Sequence, residues 1–133
     1  MDRQALQQRV RSMYAAFAAG DTEAYRAAFA EDIVWHVPGD NPVSGAYRGT
    51  EEYFGTMVER MDPLDEWRIT VNDVLTNETD KAALVAFHLT GSRRGRHVDM
   101  DGCHVIRLNA EGKIVEGWGF TQNQDALDEF FSA

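Results

Sequence analysis

This chain of 133 residues reads as one α+β domain, 1–133, and two observations carry that reading. Apolar residues recur at helical spacing as far as Met61, and beyond Pro63 the period changes to two. The connections in the second part are short enough for an antiparallel meander. Helices followed by a run of such strands place the helices over one face of a curved sheet.

The first helix is expected over 3–19, where Leu6, Val10, Met13 and Phe17 form an apolar stripe with Tyr14 at its edge. Gly20 stops it as a left-handed cap. Asp21 is an N-cap for a second helix whose inward side is Tyr25, Ala28 and Phe29. Ile33 to Val37 is β-branched and aromatic, hence a strand, and Pro38-Gly39 ends it. The next dozen residues, with Pro42, Gly45 and Gly49, form a loop or a short irregular strand. Thr50 caps a third helix, with Glu51 and Glu52 in its first turn and Phe54, Met57, Val58 and Met61 on its apolar side. Four strands follow at 67–76, 81–90, 97–108 and 113–121, joined by connections at 77–80, 91–95 and 109–112. Asn123 caps a last short helix with Leu127, Phe130 and Phe131 inward.

The bulk properties exclude several classes. A formal net charge of −9 repels phosphate backbones, so no nucleic-acid partner is expected. The basic cluster of Arg93, Arg94 and Arg96 reads as a solvated hairpin turn. No apolar run approaches the roughly 20 residues that span a bilayer, and the N-terminus lacks the apolar core of a secretory signal. Cys103 is the sole cysteine, which rules out an internal disulfide and suits a reducing compartment. A cytoplasmic protein without a membrane partner is therefore expected. There is no phosphate-binding glycine loop, and Ser12, Ser44, Ser92 and Ser132 stand in no nucleophile context. No cofactor is expected.

The helical opening YAAFAAGDTEAYRAAFAEDIVWHVPG, the SGAYRG crossing and the closing RLNAEGKIVEGWGF resemble the SnoaL-like, ketosteroid-isomerase-like branch of the nuclear transport factor 2-like superfamily. The resemblance covers nearly the whole chain. It implies a cone: a strongly bent mixed sheet wrapped by three helices, with an apolar pocket inside. It also implies a homodimer through the outer sheet face, which would carry His97, Asp99, Asp101 and Arg107. Family members include isomerases, polyketide cyclases, epoxide hydrolases and non-catalytic modules, so the fold alone does not fix the function. The isomerase tyrosine falls at Met13, with Tyr14 one residue along, and the isomerase base, an aspartate before proline, falls at Val37. The isomerase acid falls near His104, and the epoxide hydrolase base falls at Phe120, two residues after Trp118. Both family bases are thus replaced by apolar residues.

His104 shares a strand side with Val98, Met100, Ile106 and Leu108, where a titratable group is costly to bury unless it is bonded. It is read either as a proton-transfer group or as a neutral histidine satisfied by a tyrosine. His36 alternates away from Ile33, Trp35 and Val37, but a bulge at Val37-Pro38 would turn it inward. It is a second proton-transfer candidate, or else a structural histidine; Tyr14 would support an oxyanion. Glu116 joins them only if its strand side faces inward. His97, Asp99, Asp101 and Cys103 read as a solvated strand face rather than a metal site, and His88 has no motif support. Phe17, Trp35, Val37, Phe54, Met100, Trp118 and Phe120 are the expected substrate-binding wall. The sequence thus predicts a binder of a small hydrophobic ligand, working as an isomerase or cyclase on an enolisable carbonyl compound. The alternative is a binding or dimerisation module without turnover.

Overall fold

The structure, a computed structural model, describes residues 1–132. Helix α1 (Arg3–Ala19) is capped at its start by Asp2 and at its end by Gly20, whose φ of 72° lies in the left-handed region. Helix α2 (Thr22–Ala27) is shorter than its apolar pattern implies, with the Asp21 carboxylate accepting from the Ala24 N–H at 3.1 Å. Phe29 leaves the helix and opens strand β1 (Phe29–Val37), because Ile114 donates its N–H to the Ala28 carbonyl and draws the chain into the sheet.

The crossing after β1 contains a real strand, β2 (Gly45–Arg48), antiparallel to β1. The third helix, α3, is assembled from α-helical Gly49–Glu51, π-helical Glu52–Thr56 and α-helical Met57–Met61. Thr50 is not its cap. The Glu52 carboxylate instead accepts from the Arg48 N–H at 2.9 Å. Strands β3 (Glu66–Asn77), β4 (Ala82–Arg93), β5 (Arg96–Leu108) and β6 (Ile114–Thr121) form the expected antiparallel run. Helix α4 (Gln124–Ser132) closes the described chain, with Asn123 accepting from the Ala126 N–H at 3.1 Å.

The six strands make one open curved sheet in the order β2-β1-β6-β5-β4-β3, mixed because β1 and β6 run parallel. Strict alternation on β4 sends Ala83, Val85, Phe87 and Leu89 inward and leaves Leu84, Ala86 and His88 on the outer face. Two solid cores result. One unites Leu6, Val10, Ile33, Val85, Ile106 and Ile114, and the other joins Val98, Met100, Leu127 and Phe130. Burying each such side chain stabilises by about 1.5–3 kcal/mol.

The hairpin between β4 and β5 corrects one expectation. Its turn is only Arg94-Gly95, both with positive φ, so Gly91 to Arg93 remain strand. Arg93 is buried rather than solvated. Its guanidinium donates to the carbonyls of Met61 and Asp62 at the end of α3 and of Phe130 in α4. A hairpin arginine thereby ties two helix ends to the sheet.

Candidate active site: a buried phenol–imidazole pair in an apolar cavity

Between the two cores lies a cavity of about 340 Å³. Met13, Tyr14, Phe29, Trp35 and Tyr53 reach it from the first core, and Val43, Phe87, Leu89, Leu127 and Phe131 reach it from the second. Val58 and Phe120 also line it while remaining about half exposed, which marks its mouth. Its lining includes no Asp, Glu, Lys or Arg among the described residues.

His104 is the central polar group. It stands on the inner side of β5, opposite Val85 on β4 and Gly119 on β6. Three rings surround it: Phe87 at 4.6 Å between centroids, Trp35 edge-on at 5.0 Å, and Tyr14 at 5.9 Å. Its ring lines the cavity. Burial disfavours the charged ring and lowers its pKa to about 3, so the imidazole is neutral near pH 7. Its Nδ1 lies 2.6 Å from the Tyr14 hydroxyl, reached from α1. Burial, reinforced by the nearby Tyr25, holds the Tyr14 phenol well above its usual pKa, so it too stays neutral. One tautomer has Tyr14 donating to Nδ1, leaving Nε2–H as a free donor. In the other, Nδ1–H donates to Tyr14, freeing the phenol proton and the Nε2 lone pair.

A second hydroxyl pair occurs in the same cavity. Tyr25 of α2 and Tyr53 of α3 meet at 2.9 Å, and burial raises both pKa values, that of Tyr25 to about 12. Tyr53 fell outside the helical apolar pattern because it sits in the π-helical stretch. That wider turn lets the consecutive residues Tyr53 and Phe54 both line the cavity.

The register of β1 is resolved. Trp35 and Val37 line the cavity, and His36 lies on the outer face. There it stacks on Trp118 at 5.3 Å, and its Nε2 lies 2.9 Å from Glu116, which Arg107 also contacts at 3.2 Å. The hydrogen bond from His36, with help from Arg107, holds the Glu116 carboxyl below its ordinary pKa. An exposed pair of this kind contributes only ~0.2–1 kcal/mol. His36 and His104 therefore do not share a chamber.

Among the expected wall residues, Phe17, Trp35, Val37 and Phe54 line the cavity, and Phe120 stands at its rim. Met100 instead packs in the second core, and Trp118 belongs to the outer face with His36. On that face His88 bridges Asp101 at 2.8 Å and Asp99 at 2.5 Å, and those hydrogen bonds raise its pKa. No group of three or more His, Cys, Asp or Glu among the described residues is placed to hold a metal ion.

The chain is thus a curved mixed sheet with helices over its inner side, and a tyrosine and a histidine meet at a cavity whose described lining is apolar. The chain belongs to the SnoaL-like domain family, which its residues 10–117 match. It is 29% identical over 124 residues to an uncharacterized protein of Mycobacterium tuberculosis, covering 92% of this chain and 93% of that one. The structure of Bal32a, from a soil-derived mobile gene cassette, superimposes with a TM-score of 0.84 at 25% identity, covering 96% and 97% of the two chains. A putative polyketide cyclase from Pseudomonas putida shares the fold at 22% identity and a TM-score of 0.70, covering 94% and 96%.

Proposed function

We propose that the chain binds a small, uncharged, hydrophobic carbonyl compound in this cavity and promotes its isomerisation or cyclisation without a cofactor. The observation that carries this reading is the Tyr14–His104 pair buried in an apolar, charge-free chamber. With the His104 Nδ1–H donating to Tyr14, the phenol proton is free to hold the substrate's carbonyl oxygen. The Nε2 lone pair then accepts the proton from the adjacent carbon, and the electron pair of that C–H bond moves to the oxygen. The enolate is stabilised by Tyr14, and the new imidazolium returns its proton at another carbon. A histidine whose pKa is about 3 keeps that lone pair unprotonated near neutral pH. The negative charge growing on the enolate raises its basicity when it is needed.

A ligand charge would stand unpaired in this lining, so burial selects uncharged molecules. The second reading, binding without turnover, is favoured by a specific observation: no carboxylate lines the cavity among the described residues, and Val37 and Phe120, where the resemblance places the family's bases, line it instead. A homodimer through the outer sheet face and a cytoplasmic location complete the proposal.

Deuterium exchange at the α-carbon of 1-tetralone, followed by NMR in heavy water, separates the two readings. Catalysis predicts exchange faster than in buffer, reduced by roughly 10²–10³ in Tyr14→Phe. If 1-tetralone quenches the cavity tryptophans yet exchanges at the buffer rate, the enzyme reading fails and the binding module stands.

A further inference from the structure

A count of protons in the cavity leads beyond the Tyr14–His104 pair. Tyr25 and Tyr53 each carry one hydroxyl proton, and their mutual hydrogen bond at 2.9 Å uses one of the two. No other hydrogen-bond partner stands beside either hydroxyl among the described residues, so one donor of this buried pair is left over. Tyr53 is only 5% exposed, and both residues line the cavity. A buried donor left unmade is unfavourable, by about 1–3 kcal/mol. The same count applied to Tyr14 and neutral His104 also leaves one proton over. The chamber therefore presents two donors, each backed by a partner that polarises it. Both pairs pack against one indole, since the Trp35 ring lies 5.0 Å from His104 and 5.4 Å from Tyr53.

We infer that the Tyr25–Tyr53 pair is a second ligand-binding station, and that the ligand is an uncharged, flat molecule of about two rings carrying two oxygen acceptors. One oxygen, the carbonyl, meets the Tyr14–His104 pair, and the other, a hydroxyl or second carbonyl, meets the Tyr25–Tyr53 pair. The aromatic rims supplied by Phe29, Trp35 and Phe54 suit ring faces between the two stations. The inference rests on the cavity being the binding site, as proposed above, but not on turnover there.

The probes are tetralin, 1-tetralone and 6-hydroxy-1-tetralone, which carry no, one and two oxygens on the same bicyclic frame. Affinities are read from quenching of tryptophan fluorescence near pH 6.5. The wild type should bind 6-hydroxy-1-tetralone about three- to tenfold more tightly than 1-tetralone, as one added net hydrogen bond implies. Because either tyrosine alone still carries a proton, the informative variant is the double replacement Tyr25→Phe with Tyr53→Phe. It should erase the preference for the hydroxylated probe while binding tetralin as the wild type does.

A wild type with no such preference overturns the second station whether or not the double variant folds. So does a folded double variant that keeps the preference. In both cases 1-tetralone binding leaves the first reading standing. If none of the three probes binds, the cavity reading falls and this inference falls with it.

Discussion

His104 shows how strongly one position can be set by its surroundings. Burial among three rings keeps it neutral in the folded chain, with a pKa of about 3 against the usual 6.5 or so. Below about pH 6.5 the unfolded chain therefore binds one more proton than the folded one, so stability must fall as pH falls through this window. Its loss between pH 7 and pH 5 is ~2 kcal/mol, a figure that requires only that the folded value lie well below 5. The comparison of wild type with His104→Gln by urea unfolding at both pH values isolates that contribution, and the variant should lack it. The depressed carboxyls of Glu116 and Asp128 do not interfere, since their stabilisation is lost at lower pH. The raised pKa of exposed His88 works in the opposite direction and cancels in the comparison. Equal pH dependence in the two proteins would mean that His104 is protonated, or open to water, in the folded chain.

The elements matter through two close approaches. Strand β1 lies beside β6 with Trp35 opposite Gly117, and a methyl carbon added to Gly117 would stand 2.1 Å from the indole. Gly117→Ala should therefore push Trp35 into the cavity, costing about 1–3 kcal/mol in urea melts and weakening any bound probe. A variant of wild-type stability with unchanged probe affinity would mean that the indole has room elsewhere. Arg93 joins the ends of α3 and α4 to β4, so Arg93→Met leaves buried carbonyls without their donor. About 3 kcal/mol and a melting point ~10 °C lower are expected by calorimetry. Both features expose what the sequence conveys and what it hides. Helical and two-residue periods located α1, α3 and β3 to β6 to within a few residues, because those elements bury one face each. The buried Arg93 and the short α2 were illegible, since each is decided by carbonyls and strands distant in the chain. Of the site, His104 was legible as a polar residue on an apolar strand side. Tyr53 was not, because a π-helical turn breaks the spacing used to find it; that Met100 packs in the core rather than lining the cavity, and that Trp118 faces outward, needed the sheet register.

At the scale of the whole molecule, the helices cover the inner side of the sheet, and the outer side carries a continuous apolar band. The cross-strand register aligns Leu84, Val105 and Trp118 over β4, β5 and β6, with His36 of β1 stacked on Trp118. Charge flanks this band along β5, with Asp99 and Asp101, bridged by His88, toward one end and Arg107, paired with Glu116, toward the other. A second copy packed face to face, with its two-fold axis across β5, reverses the strand and sets each acidic end against the partner's arginine end. A two-fold axis along β5 would oppose acid to acid, so a dimer through this face is expected in the first arrangement. Light scattering at micromolar concentration should give twice the chain mass, and Val105→Glu, which buries a charge at the centre of the band, should give the chain mass with the fold intact by circular dichroism. Arg107→Glu should weaken the dimer less, and high salt should narrow its difference from wild type, because a rim charge acts mainly through screened attraction. A wild type that already scatters as a single chain would remove the dimer. The cavity proposal would stand, because every group it uses belongs to one copy of the chain.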